Sequence, residues 1–113
     1  MKISLKHQTI ERKNSDVCIV TEYSTNDDAL DMVVVKINGR YPDHNRVTNL
    51  HCKEIVYVQA GQGEVVVEDK HYALHAGDVV LIEPGEKYYW QGSMQLLIAC
   101  NPAWTKDQHQ SVE

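Results

Sequence analysis

The chain has 113 residues, 42% of them hydrophobic and 24% charged, with a net charge of -5, which is enough for one domain around one core and too little for two. That acidic balance speaks against phosphate backbones and anionic lipid surfaces, and no apolar stretch approaches the ~20 residues of a membrane span. Nucleic acid and membrane are set aside as partners, and with no signal-peptide core in residues 1–10 a cytoplasmic protein is expected.

Taken in chain order, the elements are short strands. Residues 17–23, 32–37, 55–58, 64–68, 79–82 and 95–100 are β-branched or aromatic runs of strand length, and none sustains a helical period. Between them Asn26-Asp27-Asp28, Gly39, Gly61-Gln62-Gly63, Glu68-Asp69-Lys70, Gly77-Asp78, Pro84-Gly85 and Gly92 supply turn chemistry. Strands so spaced predict an antiparallel sandwich or barrel. The runs at 55–58, 65–67 and 79–82 are apolar on both alternating faces and need cover from a facing sheet or a second subunit, so a homodimer is expected. The first dozen residues and the tail at 105–113 read as peripheral, the tail being polar and suited to disorder or a short helical turn. The whole chain, 1–113, forms one domain in this reading, with its core at about 17–104. Cys18, Cys52 and Cys100 are odd in number, far apart and without a Cys-x-x-Cys pair, as reduced thiols would be.

Two motifs go further. The segment from Glu54 to Gly61 and Gly63 has a glutamate followed, after six residues, by glycine; the segment from Gly77 to Gly85 carries Pro84 and a closing glycine, with a hairpin between the two segments. In this order they resemble the first and second motifs of the cupin family, and with Gly39-Arg40-Tyr41-Pro42 upstream the resemblance covers roughly residues 39–103. It implies an all-β antiparallel jelly-roll (cupin) β-barrel, usually dimeric, with a metal held by two histidines and a glutamate from the first motif and one histidine from the second. Those ligands are where this chain departs. The first-motif histidines fall on Val47 and Asn49, or on Thr48 and Leu50 in the shorter variant; the second-motif histidine falls on Tyr88, and the proline expected at position 83 is Glu83. Of the four ligands only Glu54 remains. A catalytic zinc or non-haem iron needs about three protein ligands, so no metal cofactor is expected. Were one held, the substitute set would be Glu54, His51 and Cys52, with a bulge turning His51 inward.

The candidate cavity residues are Asn49, Cys52, Glu54, Tyr88 and Trp90. Glu54 belongs to the barrel interior by strand parity, against a solvated position beside Lys53. There its unpaired carboxyl would raise its own pKa. Tyr88 offers a neutral donor and acceptor, or is a packed aromatic at a strand start. Asn49 would hydrogen-bond in the same pocket; Cys52 is a small buried hydrophobe or, with no base beside it, an unactivated thiol. His51 is a ligand, a base or a surface histidine, whereas His7, His71, His75 and His109 are assigned to the terminus, a turn and exposed strand ends. Tyr57, Tyr88, Tyr89 and Trp90 gather at the expected pocket mouth with Trp104 nearby. Such faces suit a small polar ligand or a dimer interface. Arg40 would pair with an anion or with Asp43.

Three functions follow. The first is a metal-free barrel binding a small polar molecule such as a sugar or carboxylate. The second is an enzyme, either an isomerase or epimerase using Glu54 and Tyr88 as an acid-base pair or a metalloenzyme with substituted ligands. The third is an interaction module with a side-chain-filled interior. An open pocket containing Glu54 separates the third from the others.

Overall fold

A computed structural model describes all 113 residues. Nine strands form one curled antiparallel sheet: β1 (Ile10–Ser15), β2 (Cys18–Tyr23), β3 (Asp31–Tyr41), β4 (Arg46–Asn49), β5 (Lys53–Val67), β6 (Lys70–His75), β7 (Val79–Ile82), β8 (Tyr88–Asn101) and β9 (His109–Val112). The path runs β1-β2-β3-β8-β4-β9, and β5 lies on the other side of β8, carrying β6 and β7 along its own free edge. Two short 3₁₀ turns, Lys6–Gln8 and Lys106–Gln108, are the only helical pieces. No helix is long and apolar enough to cross a membrane.

Alternation builds the interior. On β8 the alternate residues Tyr88, Trp90, Met94, Leu96, Ile98 and Cys100 are buried, with Gly92 in the same series partly so, and on β5 Glu54, Val56 and Val58 point the same way. Cys18, Val20, Val35 and Ile37 complete the core from β2 and β3. Val56, Val58 and Leu96 are fully enclosed, each contributing about 1.5–3 kcal/mol by burial.

Three expected turns are not turns. Gly39, Gly61-Gln62-Gly63 and Gly92 lie within β3, β5 and β8, so the runs at 55–58 and 64–68 are one strand of 15 residues, bulged between Val58 and Ala60. The glycines are there because backbones nearly touch: a Cβ on Gly92 would sit 2.5 Å from the Gly63 Cα, and one on Gly61 2.0 Å from the Ser93 carbonyl oxygen. Gly39, Gly92 and Gly63 are register partners across three strands, where the sheet turns its corner.

Both ends of the chain also depart from expectation. Residues 10–15 form β1 against β2, and the polar tail, expected as disorder or a helical turn, makes one 3₁₀ turn and then strand β9. This strand pairs Arg46–Asn49 in register, Asn49 opposite His109. The backbone of β4 needs a partner along its outer edge, and β9 supplies it whatever its side chains are.

Candidate functional site

The strands β2, β3, β5 and β8 surround a cavity of about 80 Å³ that opens to solvent at its mouth, room for several water-sized groups. Its floor is Glu54 with Tyr88 and Trp90; its walls include Val20, Val33, Val35, Ile37 and Ile98; its mouth carries Arg12, Glu22, Asp31, Trp104 and His109. The interior is therefore not filled by side chains.

Glu54 is 6% exposed. Its Oε1 accepts from the Asn49 Nδ2 at 2.8 Å and from the Tyr88 hydroxyl at 3.3 Å, while its Oε2 is buried with no partner. Burial pushes the carboxyl up to about 7 against the two hydrogen bonds, which pull it down. Burial and the Glu54 charge together hold the Tyr88 phenol well above its usual range, so it acts as a neutral hydroxyl. Trp90 packs edge-on to Tyr88, ring centroids 6.1 Å apart.

Asn49 lies one layer behind this surface and connects it. Its Nδ2 also donates to the Tyr88 oxygen at 3.3 Å, and its Oδ1 accepts from Trp104 Nε1 at 3.1 Å, Gln108 Nε2 at 3.1 Å and His109 Nδ1 at 2.7 Å. Burial, with help from the Arg12 charge, lowers the pKa of His109. Gln108 is itself fixed, because its Oε1 accepts the backbone N–H groups of His51 and Cys52. Trp104 is held by its own backbone N–H, which donates to Asp31 at 2.9 Å, and the Arg12 guanidinium lies 5.0 Å over its ring while donating to Glu22 and Asn14.

Other expected site residues are elsewhere. Cys52 is buried but borders a separate depression with His51, Asp28 and Thr105. It is a free thiol near Cys100, whose proximity lowers the pKa of Cys52, while Cys52 and burial raise that of Cys100. His51 is exposed, so Glu54, His51 and Cys52 do not converge, and nowhere do three His, Cys, Asp or Glu side chains come close enough to hold a metal ion. With Val47, Asn49 and Tyr88 where imidazoles would be needed, the donor set does not fit the family's metal. Tyr57 faces outward, and Tyr89 lies on the outer surface under Arg40, 3.8 Å from its guanidinium. Arg40 donates to the carbonyls of Pro42 and Asn45, bracing that loop rather than meeting Asp43. Arg12 and His109 are site residues that composition and spacing did not reveal, whereas Trp104, expected near the pocket mouth, is in the cavity lining. His109, assigned above to the chain end, reaches the cavity because β9 pairs with β4.

A jelly-roll built from one curled antiparallel sheet, with a buried carboxyl at the floor of its cavity, is the architecture of a cupin barrel. Residues 32–96 match the cupin domain model, and the chain belongs to the cupin family. No curated protein matches the sequence. Among solved structures, Pac13, described as a unique nucleoside dehydratase, superimposes with a TM-score of 0.89 at 18% identity over 100% of this chain and 92% of its own. A Streptomyces Pac13 variant with uridine gives 0.88 at 19% over 98% and 90%. An RmlC-like cupin from Shewanella frigidimarina gives 0.75 at 20% over 93% of each chain, and ectoine synthase from P. lautus 0.76 at 16% over 100% and 91%. The likeness at these identities is one of fold.

Proposed function

We propose that the cavity binds a small polar molecule without a metal, and that Glu54 is its principal anchor. The observation that carries this reading is the Glu54 carboxyl, enclosed in the barrel with one oxygen satisfied twice and the other left free. A buried polar atom without a partner costs about 1–3 kcal/mol, and a hydroxyl or amide of a ligand would remove that cost. The apolar walls and the Trp90 and Trp104 faces suit a ring with polar substituents, and a Pac13 structure holds uridine. A homodimer in the cytoplasm is the proposed working form.

Ligand-observed NMR with a panel of monosaccharides, nucleosides and hydroxy acids tests this. Binding is expected from at least one class, unchanged by chelator, and weakened roughly tenfold by Glu54→Gln and less by Tyr88→Phe, with both variants folded. Equal binding by wild type and both variants would remove these residues from the site.

A second reading is acid-base catalysis on the same molecule. It is favoured by the Glu54 pKa of about 7, where a carboxyl can both give and take a proton near neutrality, and by enzymes among the structural neighbours. Glu54→Gln that abolishes turnover of a bound hit more than it weakens binding would establish it; hits recovered unchanged by the wild type would leave binding alone.

A further inference from the structure

We infer that His109, delivered by the C-terminal strand, presents an unprotonated Nε2 to the cavity as the hydrogen-bond acceptor for a hydroxyl or N–H of the bound molecule. The inference rests on the cavity being a ligand site, as proposed above, and adds a second anchor whose chemistry differs from that of Glu54.

The position of each proton around Asn49 fixes the state of His109. The Trp104 indole nitrogen can only donate, so the Asn49 atom 3.1 Å from it is the oxygen. Gln108 agrees independently. Two backbone N–H groups occupy its Oε1, which turns its Nε2 toward the same Asn49 atom. The opposite side of Asn49 agrees again, since its Nδ2 faces the acceptor oxygen of Glu54. With the amide orientation set from three directions, His109 Nδ1, 2.7 Å from Asn49 Oδ1, must carry a proton.

The other ring nitrogen is then decided by charge. The imidazole is more than half enclosed, and burial and the Arg12 guanidinium both oppose a positive charge on it. Facing it are Trp104, whose ring lies 5.4 Å away, Arg12 stacked beyond that ring, and the uncharged Asn49 and Gln108; no salt bridge to a carboxylate holds it. The ring is neutral, Nε2 is a lone-pair acceptor, and it is buried without a partner in a side chain that lines the cavity.

Two residues that line the same cavity therefore each keep a buried polar atom without a partner, Glu54 Oε2 and His109 Nε2. A neutral carboxyl at Glu54 would carry its proton on Oε2, because Oε1 already accepts two hydrogen bonds. One anchor can thus donate and the other accepts. The complementary ligand places an oxygen acceptor at Glu54 and a hydroxyl or N–H donor at His109, as hydroxylated rings and hydroxy acids do; a molecule with acceptors only would leave Nε2 unpaired.

Long-range ¹H–¹⁵N correlation on ¹⁵N-labelled full-length protein at pH 7 reads the tautomer directly. The expected result is a protonated Nδ1 and an unprotonated Nε2 at His109; an imidazolium or an Nε2–H tautomer overturns the inference and leaves the Glu54 reading intact. For a hydroxylated hit from the panel above, saturation is expected to shift the Nε2 resonance toward the hydrogen-bonded range. His109→Phe should then weaken that hit about tenfold. Should phenylalanine unseat β9, His109→Asn keeps an N–H toward Asn49 and removes the Nε2 acceptor. Binding that Glu54→Gln weakens and both His109 variants leave unchanged overturns the inference alone; a panel with no binder overturns the ligand-site reading and this inference with it.

Discussion

Burial and hydrogen bonding pull Glu54 in opposite directions, and burial prevails, holding the carboxyl at about 7 against an ordinary 4.5. The consequence for stability has a definite sign. Between those values the unfolded chain has lost the Glu54 proton while the folded chain keeps it, so stability falls as pH rises. The stabilisation from a neutral Glu54 is complete below about 4.5 and is lost by the time pH passes about 7, a change of about 3 kcal/mol across the window. Glu54→Gln keeps the shape and cannot ionise. Thermal unfolding from pH 4.5 to 8 should therefore show the variant gaining on the wild type as pH rises and melting several degrees higher at pH 8. Parallel curves for the two proteins would mean that Glu54 is solvated or paired in a way its surroundings do not show.

Among the elements, the corner where β3, β8 and β5 cross is the least forgiving. Gly92 has a φ of +131°, and an added Cβ there would meet the Gly63 Cα at 2.5 Å and the Gln62 carbonyl oxygen at 2.7 Å, backbone on both counts. Gly92→Ala is expected to cost more than about 3 kcal/mol, steric overlap adding to backbone strain of about 1–3 kcal/mol, measured by urea unfolding. Gly77→Ala, with open space around its Cβ, should cost only the strain of its own φ of +99°. This corner shows what local sequence reveals and what it hides. Glycine marks a backbone requirement, yet a turn and a close strand crossing ask for the same residue, and only the partner strand tells them apart. Glu54 was legible because motif spacing and strand parity agreed on its side. β9 was not, since His109, Gln110 and Ser111 carry no apolar alternation, and their pairing is chosen by the open edge of β4. His109 meets Asn49 across 60 residues of chain, a separation at which local pattern carries no signal.

Across the whole molecule, the sheet that encloses the cavity has a second face. Register places Leu81, Ile55, Ala99 and Met32 in one row over β7, β5, β8 and β3, and Val79, Tyr57, Leu97 and Val34 in the next. Leu81, Ile55, Tyr57 and Val79 are 53%, 49%, 44% and 58% exposed. Eight neighbouring apolar side chains in a block two deep and four strands wide are more than scattered surface leucines. Polar residues bound the block, with Lys53, Glu83 and Asn101 beyond one end and Lys36, Gln59 and Gln95 beyond the other, the core-and-rim pattern of a protein interface. A second copy of the chain is the occupant proposed, because a sheet face can meet its own two-fold mate with both rows in contact. Light scattering behind size exclusion at micromolar concentration should give twice the 12.9 kDa chain mass. Tyr57→Lys with Leu97→Asp should reduce it to the monomer while leaving the Glu54 cavity, on the opposite side of the same strands, able to bind. A monomeric wild type would end the dimer proposal and leave this face for a different protein; a dimer untouched by the double substitution would move the interface to another surface.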